Sequence, residues 1–379
     1  MEFKSIKSLL ALVFSGFLLV AAQGAFAQED QPEQDRSKTG TNPVPHAPKK
    51  EGFDAKEVIF GHIMDAHEFH FIDYKGSDGK EHAVTIPLPV ILYSSQKGLT
   101  VFSSSRFEHG HAEYEGYKLV KETIGEKIVS TNSNETVYDL SLTRNVVQMM
   151  LALAFLVWLL ISIANAYAKG LGVTTAPKGK QNLMEPIITF VRDEVAIPNL
   201  GHKAMKYLPY LLTVFFFILI NNIIGLIPGT ANVTGNIAFT AVLGLISFVV
   251  ILFSSNKHYW LHIFNPPGVP LGVKFILVPV EFLSVFIKPF ALIIRLFANM
   301  VAGHIIIICL ISLIFIFAQL NQYAGWGASP LAIGFTIFIY FIEVLVAFLQ
   351  AFIFTVLTAV FIGQALEGDH SHEESAAHH

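Results

Sequence analysis

The chain has 379 residues, 53% of them hydrophobic and only 14% charged, with 33 Phe and a mean hydropathy of +0.54. That is the composition of a membrane protein. A net charge of −4 gives no basis for nucleic-acid binding. The single cysteine, Cys309, excludes an intrachain disulfide and reads as a small buried hydrophobe within an Ile/Leu run.

Lys4 and Lys7 precede the apolar stretch Leu9–Ala22, followed by Ala25-Phe26-Ala27 and the polar Gln28-Glu29-Asp30. This is the pattern of a signal peptide over residues 1–27, with an uncleaved anchor as the alternative. The mature N-terminus is then expected outside the cytoplasm. Residues 28–50, rich in Gln, Asp, Lys, Pro and Thr, read as a disordered leader.

Residues 53–105 read as a small β unit, within an extracytoplasmic α+β region over 28–142. Alternation through Glu68–Tyr74, a turn over 75–80 and the β-rich Ala83–Tyr93 predict a hairpin, and Gly98–Ser103 a further strand. The charged stretch 107–142 is expected to be partly helical. Six histidines fall here: His62, His67, His70, His82, His109 and His111. A strand over 66–74 puts His67 and His70 on opposite faces, and no tight ligand motif accompanies them. Solvated or hydrogen-bonded histidines are therefore preferred to a metal site.

From residue 143 the chain becomes a series of apolar segments. About 20 helical residues cross a hydrocarbon core of about 30 Å. Val146–Ala168, Leu208–Ile227 and Ile237–Phe253 suit single crossings. Leu271–Leu320 and Leu331–Ala365 are too long for one perpendicular span and must tilt steeply, bend or lie partly in the membrane plane. Pro279 and Pro289 offer bends. The expected fold is all-α and polytopic, with five crossings and a hairpin of two long tilted helices at the C-terminal end.

Loop charges orient the chain. Lys169, Lys178, Lys180, Arg192, Lys203 and Lys206 lie between the first two spans, and Lys257 and Lys274 between the third and fourth, whereas 228–236 and 321–330 carry none. The positive loops belong inside, so the N-terminus is outside and the C-terminus inside. The acidic, His-rich tail 366–379 reads as disordered and solvated.

Arg295 interrupts the apolar run Phe290–Leu320. Its guanidinium keeps its charge at any ordinary pH, and at mid-bilayer that costs about 2.5–3.5 kcal/mol on insertion scales. Such a residue persists only with a partner or a water-filled path. Asn299 is one turn on and shares its face, whereas His304 is half a revolution away. Glu281 and Lys288 align upstream, with Ser284 between them. Glu343 and Gln350 share a face of the last segment, with Ala347 between them. An antiparallel hairpin then lets Glu343 and Gln350 face His304 and Asn299, with His304 and Glu343 as a titratable pair. For Asn221 and Asn222 two readings stand, an outward extension of this path and interhelical hydrogen bonding. Glu281 also reads as a plain interfacial carboxylate.

Arg295-Leu-Phe-Ala-Asn-Met-Val-Ala-Gly-His304 together with Leu349-Gln-Ala-Phe-Ile-Phe354 resembles the a-subunit family of F-type ATP synthases, called ATPase subunit 6 in mitochondria. Asn221–Ile227 followed by Pro228, Glu281, and Lys288-Pro289 fit the family's other landmarks. The resemblance covers about residues 180–365 and leaves 28–142 unexplained. It implies that Arg295 is the essential arginine facing the carboxylates of a c-subunit ring. It implies an outer half-channel lined by Asn222, Asn299, His304, Glu343 and Gln350, and an inner one lined by Glu281 and Ser284. It further implies a b-subunit peripheral stalk, the rest of the synthase and membrane lipid as partners, no cofactor or metal, and a bacterial inner membrane with a periplasmic N-terminus. His304 and Glu343 stand exchanged relative to many bacterial members, as in mitochondrial ones, which preserves an acid/imidazole pair.

Two rivals follow from the residues alone. A secondary transporter could hold an intramembrane Arg, but no internal repeat accompanies it here. A membrane-anchored sensor would place function in the His-containing outer region. No nucleotide-binding loop occurs in the chain.

Overall fold

The computed structural model describes residues 64–75, 81–110, 112–122, 125–131, 135–172, 177–227, 229–266 and 268–366. The expected signal peptide, leader and C-terminal tail lie outside the described residues, as do the turn after Lys75, His62 and His111.

The first part is a set of short antiparallel sheets. β1 (Glu68–Lys75) pairs with β2 (Glu81–Pro87) as the predicted hairpin. Pro87 and Pro89 then break what had read as one strand over 83–93. A proline gives the ladder no N–H, and β3 (Pro89–Ser94) joins β4 (Gly98–Ser103) in a separate sheet. β3 alternates as a half-buried strand does, with Val90 and Leu92 inward and Tyr93 outward.

The partly helical expectation for 107–142 is overturned. After a 3₁₀ segment at Ser104–Gly110, this stretch forms β5 (Tyr117–Glu122), β6 (Gly125–Ser130) and β7 (Val137–Asp139). β5 pairs with β6, and β7 completes the order β4-β3-β7. The charges Lys118 and Lys121 obscured a period-two pattern in which Tyr117 and Leu119 are the buried positions. They close a small core with Val90, Leu92, Phe107 and Ile128.

A buried ionic cluster joins this unit to the membrane part. His67 is 4% exposed, and its Nε2 lies 2.9 Å from Asp139 Oδ2 and its Nδ1 3.6 Å from Glu126 Oε2. The Arg144 backbone N–H donates to Ala66 O at 2.9 Å and that of Asn145 to Asp65 Oδ1 at 3.2 Å. The Arg144 guanidinium donates to Met64 O. Burial disfavours the His67 imidazolium, but the bonds to Asp139 and Glu126 outweigh it and push His67 up to about 9. A raised imidazole stabilises the fold fully below its unfolded value near 6.5 and loses that contribution as pH climbs through about 9. The span corresponds to at most about 3 kcal/mol. In detergent-solubilised full-length chain, hydrogen exchange over β5–β7, corrected for intrinsic rates, is expected to lose protection between pH 7 and 9.5. His67→Gln is expected to flatten that profile. An unchanged profile in the variant would remove His67 from the junction's energetics.

Five helical stretches among the described residues are long and apolar enough to cross a membrane. α1 (Arg144–Ala168) is the first. The charged connection after it is mostly helical rather than a loop. α2 (Lys180–Phe190) runs through a π-helical stretch at Val191–Ala196 and a turn at Ile197–Leu200 before α3 (Ala204–Gly225) begins. α4 (Ile237–Ser254) and the short α5 (Lys257–Phe264) precede α6 (Leu271–Leu320) and α7 (Gln322–Leu366).

α3 is the centre of the bundle, with Leu211, Phe215, Phe216 and Ile218 inaccessible. Gln148 of α1 binds the loop after α3 through both amide atoms, donating to Ala231 O at 2.5 Å and accepting from Ala231 N at 2.7 Å. α6 has 50 residues and α7 has 45, hence lengths of about 75 and 68 Å against a core of about 30 Å. Both must tilt or bend to keep their apolar surface in lipid, with Pro279 and Pro289 inside α6. Cys309 is exposed on α6, not buried as its sequence context suggested. Residues facing lipid or another chain are as apolar as core residues, so composition alone did not separate the two.

Candidate functional site

α6 and α7 form an antiparallel hairpin whose register can be read from contacts. Gln350 Nε2 donates to Arg295 O at 3.4 Å. The Glu343 carboxylate lies on the α carbon of Gly303, where a β carbon would overlap it. Gly325 packs on Ala318 in the same way. Arg295 is thus level with Gln350, and Gly303 with Glu343.

Arg295 and Asn299 are both exposed on the outward surface of α6, beside Phe290 and Ile294. Arg295 has no side-chain partner among the described residues. Gly244 of α4 meets Ile293 where a β carbon would collide, so α4 packs against α6 close to Arg295 in the chain.

The other polar residues converge where α3 meets the hairpin. Asn222 Nδ2 donates to Ala347 O at 3.1 Å, and His304 Nε2 lies 2.9 Å from Gly225 O. Asn232, just after α3, donates to Met300 O at 3.3 Å, and Tyr340 to Leu226 O at 3.2 Å. Asn221 is spent on its own helix, donating to Phe217 O at 2.8 Å. Asn221 Oδ1, Asn222 Oδ1, His304 Nδ1 and Glu343 Oε2 are buried and have no hydrogen-bond partner among the described residues. A buried polar atom without a partner costs on the order of 1–3 kcal/mol. Several at one level of a membrane bundle are costly unless the site is wet.

The direct His304–Glu343 pair expected from the hairpin is not formed. His304 turns to α3, on the side of α6 opposite Arg295, while Glu343 takes the space above Gly303. Helical phase separates the two side chains, and the missing Cβ at Gly303 is what admits the carboxylate. Gln350 likewise reaches the Arg295 carbonyl rather than Asn299. For Asn222 the interhelical bond is formed through its amide nitrogen, and its oxygen has no partner among the described residues.

Glu281 and Ser284 open onto a polar cleft of about 340 Å³ near the other end of the hairpin. α6 contributes these two and Lys288, whose ammonium is held on Gln364 Oε1 at 2.9 Å and over the Phe361 ring. The opposite wall is α5, which presents His258, Tyr259 and His262. Sequence reasoning missed both histidines. Their spacing of four within a short amphipathic stretch was the available signal.

Five apolar helices with ionisable side chains inside and between them define a multi-pass membrane protein of the all-α class. The profile described as ATP synthase A chain matches residues 145–363, and one described only as a domain of unknown function matches 58–148. Similar proteins include ATP synthase subunit a of Chloroherpeton thalassium, 45% identical over 248 residues that make up 64% of this chain and 72% of the relative. ATP synthase subunit a 2 of Chlorobaculum tepidum is 46% identical over 251 residues, 64% of this chain and 69% of its own. ATP synthase subunit a of an Anaeromyxobacter species is 40% identical over 245 residues, 62% and 57% respectively. The chain belongs to the ATP synthase A chain family.

Proposed function

We propose that Arg295 stands between two half-channels that load and unload carboxylates on a rotating c-subunit ring, so that proton flow drives rotation and ATP synthesis. Family membership makes the chain a membrane-sector subunit of an ATP synthase, a component of a proton-translocating complex. The observation that carries the finer reading is a permanently charged side chain on an exposed apolar surface, with no counter-ion among the described residues. A carboxylate arriving on a neighbouring rotor supplies it.

A protonated ring carboxylate is neutral and tolerates lipid. On meeting Arg295 the ionised form is favoured and the proton leaves. The fixed charge also repels protons, which keeps the two paths from short-circuiting. The outer path runs by the unpaired atoms of Asn222, His304 and Glu343 towards Gln350 and Asn299, with water joining groups that do not touch. The inner path runs through the cleft of Glu281 and Ser284. Loop charges support a topology with the N-terminus, residues 28–142 and the His304 level on the periplasmic side of a bacterial inner membrane, and the cleft and the tail from residue 366 on the cytoplasmic side. In this reading residues 1–27 are a signal peptide and 143–365 the channel domain. A b-subunit stalk holds the assembly against the ring. The chain itself makes no ATP.

Cross-linking tests which surface meets the ring. In a Cys309→Ser background within the assembled synthase, Asn299→Cys is expected to cross-link to a cysteine placed beside the ring carboxylate. Phe155→Cys, on the exposed surface of α1, is expected not to. The reverse pattern would put the rotor elsewhere and end this reading.

A further inference from the structure

The cleft that holds Glu281 is walled on one side by α5, a helix for which the transport reading above found no use. We propose that His258 and His262 are the proton-accepting mouth of the inner half-channel, exchanging protons between cytoplasmic water and Glu281. This deepens the half-channel reading and rests on it.

Three observations converge. First, His258 and His262 are one turn apart, so they share a face of α5, and that face lines the cleft. Both are exposed, so each reaches bulk water as well as the cleft. Second, the opposite wall presents the Glu281 carboxylate, which has no ion-pair partner among the described residues. Its closeness to α5 is registered by Tyr259, whose phenol is pushed up by burial and then by the Glu281 charge. Third, the cation in the cleft, Lys288, is already committed to Gln364 and the Phe361 ring. It is held on the α7 side and does not neutralise Glu281. The titratable and charged groups that line the cleft with the two imidazoles are therefore Tyr259 from α5 and Glu281 and Lys288 from α6, beside the uncharged Gln364 from α7, with Lys257 preceding His258 on α5.

The chemistry calls for such a mouth. At pH 8 free hydronium is only about 10⁻⁸ M, so its encounters with a lone carboxylate are limited by its scarcity even when each is diffusion-controlled. An imidazole also takes protons from buffer, which is far more abundant. A proton binds the imidazole to give imidazolium, then moves to the Glu281 carboxylate, and the neutral imidazole is restored. In synthesis the same transfer runs backwards.

The test uses the whole synthase in vesicles with its catalytic head outward, following ATP-driven proton uptake at external pH of about 6.5 and about 8. The His258→Gln/His262→Gln double variant is expected to lose about threefold or more at the higher pH and little at the lower one. Added imidazole is expected to restore the loss. A rate equal to the parent's at both values overturns the proposal, as does an equal loss at both that imidazole does not relieve. Arg295→Ala run alongside separates the levels. If that variant still pumps, the half-channel reading fails. If it is inactive while the histidine variant matches the parent, only the mouth is wrongly assigned.

Discussion

Arg295→Ala is expected to abolish ATP synthesis and ATP-driven acidification in the assembled complex. The argument is electrostatic. A cation about 4 Å from a carboxylate in surroundings of effective dielectric near 20 contributes about 4 kcal/mol, a bias of roughly three pKa units towards the ionised form. Without it the ring carboxylate keeps its proton on passing, and nothing drives release into the inner path. The barrier to direct leakage between the half-channels is lost as well. Arg295 is exposed on α6, so the subunit is expected to assemble normally. Vesicles carrying a normally assembled variant that acidify at the parental rate would sink the assignment of Arg295.

The second large effect is expected at Gly303. The Glu343 carboxylate occupies the position that a β carbon on residue 303 would need. Gly303→Val must either push the hairpin apart or drive the carboxylate from its place above α6. Proton transport is expected to fall to the level of Glu343→Leu, which removes the carboxylate outright. Gly303→Ala is expected to fall between parent and valine variant. Adding Glu343→Asp, which withdraws the carboxylate by one methylene, is expected to recover part of that loss. If Gly303→Val transports like the parent while Glu343→Leu does not, the close approach has no part in the path. Chain assembly, read by co-purification with the ring, separates a lost path from a lost subunit.

Much of the membrane part was legible because bilayer physics writes itself into composition. The limits Leu271 and Leu320 of α6 were readable to the residue, since Pro270 and Asn321 bound one long, predominantly apolar run. α7 was placed too short at its start. Gln322–Pro330 is small and polar enough to read as a loop, yet it continues the helix. The outer region was harder. The charges Lys118 and Lys121 imitated a helical stretch, and β5–β7 came to light only through their pairing. α5 escaped notice because eight residues carry too little periodic signal to separate a helix from a loop.

The same division holds at the site. Arg295, Asn299, Glu281, Glu343 and Gln350 could be named from sequence because a charged or amide side chain inside an apolar run is costly wherever it sits. Their spacing along the helix is a matter of helical phase. Which atoms meet was a different matter. That His304 turns to Gly225 and Glu343 settles on Gly303 depends on how closely two helices approach and on where α3 inserts. That His258 and His262 share a cleft with Glu281 depends on α5 folding back over α6. Sequence by itself determined the membrane class, the crossings and the identity of the polar residues, because cost in lipid and helical period are local properties. Only the tertiary structure decided the pairings, because contact between distant segments is set by packing that no single segment contains.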